Sequence, residues 1–141
     1  MRYADSSVLL KLLWTEPESA AVRAAVAAEQ RLVVSTLAEL EVEVQLRARW
    51  HAGAVTRPRY RAYRTGLAGF RLIDPFEFVE LPGDVFRRGV AQHSTSRRHC
   101  RTLDRLHLAA MEVLGLTALL TNDHKQAEAA RDLGFDVVIP E

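Results

Sequence analysis

Short apolar runs that recur between longer amphipathic stretches constrain this chain more than any other feature. Arg2–Asp5 (RYAD), Arg31–Val34 (RLVV), Thr117–Thr121 (TALLT) and Asp136–Ile139 (DVVI) are each four or five residues long. Each is too short for a helix and suits a buried strand. Every gap between them is long enough to hold at least one helix. Consecutive strands joined this way pair in parallel, with helices over both faces of the sheet. Right-handed crossovers then give a doubly wound α/β/α sandwich with a mostly parallel sheet of about five strands. An α+β arrangement is the weaker alternative.

Capping and breaking residues set the helix limits. Helices are predicted over Ser6–Trp14, Glu16–Ala28 with Pro17 in the first turn, and Ser35–His51. Another opens at Thr56 and Pro58 and fades near Gly66–Gly69. One spans Asp84–Gln92, and one runs from a Thr102 cap to near Gly115. The last starts at Asn122 or Asp123 and stops at Gly134. The third strand is either Arg71–Ile73 or Glu77–Leu81. The stretch HSTSRRHCR (His93–Arg101) reads as a polar, basic loop. With 141 residues, 48% hydrophobic and 26% charged, the chain suits one domain, 1–141. No apolar run approaches the ~18 residues of a membrane span. The acids Asp5, Glu16 and Glu18 argue against a signal peptide, so a cytoplasmic protein is expected. A single cysteine, Cys100, excludes an internal disulfide and a cysteine-based zinc site.

In a doubly wound sheet, ligands bind outside the carboxyl ends of the strands, where the strand order reverses. Asp5 and Asp123 fall at the carboxyl ends of two strands expected to be neighbours there. Each alone reads as a helix N-cap; together they suggest a shared crevice. At about 100° per residue, Leu37, Leu40, Val44 and Ala48 form an apolar stripe with Glu41 inside it, and Glu39 and Glu43 opposite. A buried carboxylate needs an arginine or a metal. Asp104 lies at the rim of the stripe of Leu103, Leu106, Ala110 and Leu114, and also suits the helix dipole. His107, inside that stripe, reads as a hydrogen-bonded core residue. Four converging carboxylates would repel one another. A hard divalent cation, Mg²⁺ or Mn²⁺, relieves this and can drive phosphoryl displacement.

The basic residues point the same way. Seventeen of nineteen are arginine, and the net charge of +1 hides their clustering. Seven lie between Glu43 and Asp74 with no acid among them, and six between Arg87 and Arg105 with only Asp104. Solvated helix faces explain such stretches if taken alone. Beside a phosphate-cleaving site they become RNA contacts, with Arg97, Arg98 and Arg101 as candidates.

Three segments in order resemble the PIN domain, and within it the VapC-type toxins of bacterial toxin–antitoxin pairs. YADSSVLLKLLWTEPES resembles the family's first strand and helix. VVSTLAELEVEV resembles its second segment, where a glutamate follows the serine by six residues, which also selects Glu41. RTLDRLHLAAMEVLGLTALLTNDHKQAEAARDLGFDVV resembles its most recognisable block, with Asp104 in LDxLHLA and Asp123 in TND. The resemblance implies a metal-dependent ribonuclease, homodimeric and inhibited by a cognate antitoxin. It carries the catalytic and metal-holding roles to Asp5, Glu41, Asp104 and Asp123, with Ser6 and Thr121 in support. Arg105 departs from the pattern, which has a small residue there.

Competing readings are weaker. A response-regulator-like receiver with Asp74 as phosphoacceptor lacks the adjacent acids after its first strand and the lysine after its fifth. A haloacid-dehalogenase-like phosphatase lacks the second Asp, since Ser7 stands there. A non-toxin PIN nuclease of RNA processing shares the acid set; the short chain favours the toxin. An inactive PIN scaffold would have no use for four intact carboxylates.

Overall fold

A computed structural model describes all 141 residues. The elements are β1 (Arg2–Ala4), α1 (Ser6–Leu13), α2 (Ser19–Ala27), β2 (Leu32–Ser35), α3 (Thr36–His51), α4 (Arg57–Phe70), β3 (Phe76–Val79), α5 (Val85–Thr95), α6 (Thr102–Val113), β4 (Ala118–Leu120), α7 (His124–Asp132) and β5 (Asp136–Val138). All five strands are parallel, in the order β3-β2-β1-β4-β5. The order reverses between β1 and β4, the place where the sequence predicts the crevice.

Alternation along the strands divides the core. Ala4, Leu32, Val34 and Leu120 face one cluster with α1 to α4, including Leu9, Val22, Val42, Leu46 and Leu67. Tyr3, Val33 and Leu119 face the other, with Val85, Leu108, Met111 and Ala130 from α5 to α7. Successive side chains on a strand point to opposite faces, so three or four residues suffice to serve both clusters. No helix is long and apolar enough to cross a membrane.

Several boundaries differ from the sequence reading. Of the two candidate third strands, the later one forms, at Phe76–Val79. Phe76 packs against Phe70 at 4.9 Å between ring centroids, whereas Leu72 and Ile73 are exposed. Helix α4 ends at Phe70, one residue beyond the expected Gly66–Gly69, with Tyr60 and Leu67 buried in the first cluster. Helix α2 begins at Ser19, after Pro17, because the Ser19 hydroxyl accepts from the Glu16 amide at 2.9 Å and donates to the Trp14 carbonyl at 3.0 Å. Thr102 does not cap α6; Arg101 holds the cap position without a side-chain bond. His93–Thr95, expected in the basic loop, instead finish α5.

The apolar stripe drawn on α3 is the wrong face. Leu40 and Val44 are 61% and 59% exposed, and the buried residues are Leu37, Ala38, Val42 and Leu46. Glu41 borders this true buried face. On α6 the stripe is likewise displaced: Leu103 is exposed, and Arg105 is buried between α5 and α6.

Candidate active site

The first polar residues beyond β1 and β4 build the floor of the site. Asp5 is 4% exposed and caps α1, accepting from the Ser7 amide at 3.1 Å. The Ser7 hydroxyl donates to the same oxygen, and the Thr121 hydroxyl donates to the other. Thr121 in turn accepts from the Asp123 amide at 3.0 Å, and Ser7 accepts from the Asn122 amide at 2.7 Å. These bonds tie the end of β4 to the start of α1. Burial raises the Asp5 carboxyl above its ordinary range, opposed by nearby His107 and by the two hydroxyls, and reinforced by the charge of Asp123. Ser6 is buried beside the cavity, but Ser7 holds the carboxylate. A hydroxyl two residues after a capping Asp was the available signal.

Asp123 caps α7, its Oδ1 accepting from the Lys125 and Gln126 amides at 2.9 and 3.2 Å. Its Oδ2 lies 3.5 Å from Arg101 Nη2. Arg101 Nε donates to Asp104 Oδ2 at 2.8 Å. Glu41 enters from α3 and pairs with His107 Nε2. The other ring nitrogen of His107 hydrogen-bonds the Tyr3 hydroxyl at 2.7 Å, and Tyr3 meets the Ser35 hydroxyl at 2.7 Å. Tyr3, Ser35 and His107 are all buried, so a closed polar chain fixes Glu41 from behind. Burial pushes the Tyr3 hydroxyl well above its ordinary value, keeping it neutral. Glu39 and Glu43 bind Arg71 and Arg64 on the surface instead.

Asp5, Glu41, Asp104 and Asp123 thus line one cavity of about 690 Å³. Of the three candidate RNA-binding arginines, only Arg101 lines it. Arg98 pairs with Glu128 at 3.0 Å, and Arg97 is exposed on the same loop outside it. Lys11 and Arg49 also line the cavity, unanticipated, and both contact Glu16. Arg49 lies over the Trp14 ring at 3.7 Å. No three His, Cys, Asp or Glu groups stand close enough together to hold an ion as they are arranged. The donor chemistry nonetheless fits a hard divalent cation: four carboxylates face one space, and an arginine offsets the charge of two of them. The receiver alternative fails on geometry. Asp74 precedes β3, at the opposite end of the sheet from Asp5.

A parallel α/β sandwich with four carboxylates lining a cavity at its switch point defines an acid-lined α/β class, in which ligands bind outside the carboxyl ends of the strands. Residues 2–132 match the PIN domain family. The chain is 35% identical over 141 residues to Ribonuclease VapC46 of Mycobacterium tuberculosis, covering 98% of this chain and 96% of the relative. The fold is similar to that of M. tuberculosis VapC20, a sarcin–ricin-loop-cleaving toxin, with a TM-score of 0.76, 17% identity, and coverage of 99% and 100% of the two chains. It is also similar to a chain in a toxin–antitoxin complex from Klebsiella pneumoniae, with a TM-score of 0.67, 20% identity, and coverage of 100% and 98%. This chain belongs to the PIN domain family, among its VapC-type toxin ribonucleases.

Proposed function

We propose that this protein is a Mg²⁺- or Mn²⁺-dependent ribonuclease acting as the toxin of a toxin–antitoxin pair in the cytoplasm. One observation carries the reading: Asp5, Glu41, Asp104 and Asp123, from four separate parts of the chain, line a single cavity at the sheet's switch point. These four would hold the metal, which when bound supplies an activated water and charge stabilisation for phosphodiester hydrolysis. Ser7 and Thr121 orient Asp5, and the Tyr3–His107 chain orients Glu41. Arg101 contacts the RNA phosphate, and Arg97 and Arg98 add weaker charge along the approach. A cognate antitoxin as partner is supported by the toxin–antitoxin relative. A homodimer is supported by exposed apolar residues on two helices, Leu40 and Val44 on α3 and Phe86 and Val90 on α5.

The test is cleavage of mixed RNA by purified protein with Mn²⁺ and with EDTA, alongside Glu41→Gln and Glu39→Gln. Cleavage should require metal, collapse in Glu41→Gln, and stay within a few-fold in Glu39→Gln. Undiminished cleavage in EDTA, or an active Glu41→Gln, overturns the proposal.

A further inference from the structure

We infer that Arg101 is a resident counter-ion of the metal site, exchanged for the divalent cation when the site loads and then handed to the substrate phosphate. The inference rests on the metal-dependent reading above and assigns this chain's own arginine a role against that metal.

Arg101 spans two of the four acids. Its Nε donates to Asp104 at 2.8 Å, and its Nη2 lies 3.5 Å from Asp123. Neither of the other lysine or arginine side chains that line the cavity does this: Lys11 and Arg49 are engaged with Glu16. The guanidinium therefore takes up the charge that a metal ion would otherwise take up. It is held loosely. The Arg101 side chain is 68% exposed while the Asp104 carboxylate is 14% exposed, so the guanidinium end of the pair stays open to solvent and exchange. A divalent ion that binds carboxylate oxygens directly outcompetes such a contact. Asp5 has no equivalent ion pair; hydroxyls of Ser7 and Thr121 hold its two oxygens in place.

Displacement does not remove Arg101 from the site. It sits at the cap position of α6, three residues before Asp104, so its fork stays at the cavity mouth. A planar guanidinium freed beside a metal centre is suited to two oxygens of a phosphate. The same positive charge opposes the metal. Removing it should therefore have effects of opposite sign: tighter metal binding and slower cleavage. A residue that only holds the fold, or only binds RNA, gives no tightening.

The experiment is calorimetric titration of Mn²⁺ into the full-length protein without RNA, for wild type, Arg101→Gln, Arg101→Lys and Arg31→Gln. RNA cleavage at saturating Mn²⁺ and melting curves accompany it. Arg101→Gln should bind Mn²⁺ several-fold tighter yet cleave about tenfold slower or worse. Arg101→Lys should keep near wild-type metal affinity, with cleavage between the two. Arg31→Gln removes the same charge at the far end of the sheet, where Arg31 pairs with Glu77, and should change neither. Wild type that binds Mn²⁺ while Arg101→Gln binds it no tighter overturns this inference alone. Wild type that takes up no Mn²⁺ and cleaves RNA in EDTA overturns the metal-dependent reading, and the inference with it.

Discussion

Asp5 and Arg105 are both buried ionisable groups, and the protein treats them in opposite ways. In the β1–β4 crevice, both carboxylate oxygens of Asp5 receive hydrogen bonds, from the Ser7 amide and hydroxyl and from the Thr121 hydroxyl. At the α5–α6 interface, Arg105 Nη1 donates to Gln92 Oε1 at 3.5 Å, while its Nε and Nη2 are buried without partners. Each desolvated charge costs free energy. The crevice recovers much of that cost with preformed dipoles aimed at one point. The interface leaves it largely unrecovered. The difference separates a polar site built for an occupant from a packing compromise in which a long side chain fills space.

Substitutions at each position should therefore diverge, and the largest effect belongs to the crevice. Asp5→Asn should abolish RNA cleavage while raising the melting temperature in metal-free buffer at neutral pH. The sign follows from the raised folded-state value of Asp5. Above it, the buried carboxylate is charged and costs stability in full. As pH falls through it, the carboxyl takes up a proton and the cost disappears. The gain of Asp5→Asn should accordingly shrink to nothing in acid. A melting temperature that drops at pH 7.5, or a gain that grows in acid, would place Asp5 outside this description.

Arg105→Met should be next in size. A flexible apolar side chain of similar length removes the unpaired charge and should stabilise the fold by about 1–3 kcal/mol. Cleavage should remain near wild type, because Arg105 does not line the cavity. Urea unfolding reads the stability; a destabilised variant would mean that Arg105 has partners in solution. The smallest effect should come from Tyr3→Phe. It strips His107 and Ser35 of a shared hydrogen bond, costing about 1 kcal/mol, and should lower cleavage only a few-fold by loosening Glu41. Loss of cleavage as complete as in Asp5→Asn would give Tyr3 a direct part in the site.

Much of the fold was legible because its signals are local. Asp5, Ser35, Thr56 and Asp123 each cap the helix that follows them, and caps act over two or three residues. Two of these caps also face the cavity, so locating helix starts located half of the acids. Of the two grounds that selected Glu41, the family spacing from Ser35 stands untouched and the helical wheel is overturned. The wheel joined it to Leu40 and Val44, which are exposed; it borders Ala38 and Val42 instead. Apolar residues that face outward on α3 are indistinguishable, within the helix, from those that face the core. Ser7 was passed over for Ser6 because both hydroxyls adjoin Asp5 in the chain, and only the path of α1 decides which one turns back.

The sequence by itself determined the parallel α/β order, the positions of Asp5 and Asp123 at strand ends, and the set of four acids. Strand and helix periods and capping depend on neighbours a few residues away. Only the tertiary structure decided which face of α3 is buried, that His107 reaches both Glu41 and Tyr3, and that Arg101 rather than Arg97 or Arg98 enters the cavity. Those facts depend on side chains brought together from distant parts of the chain. Thr121 and Asp5, for example, are 116 residues apart in sequence yet share a hydrogen bond. Such pairings follow from how β1 and β4 align, and no local pattern encodes that alignment.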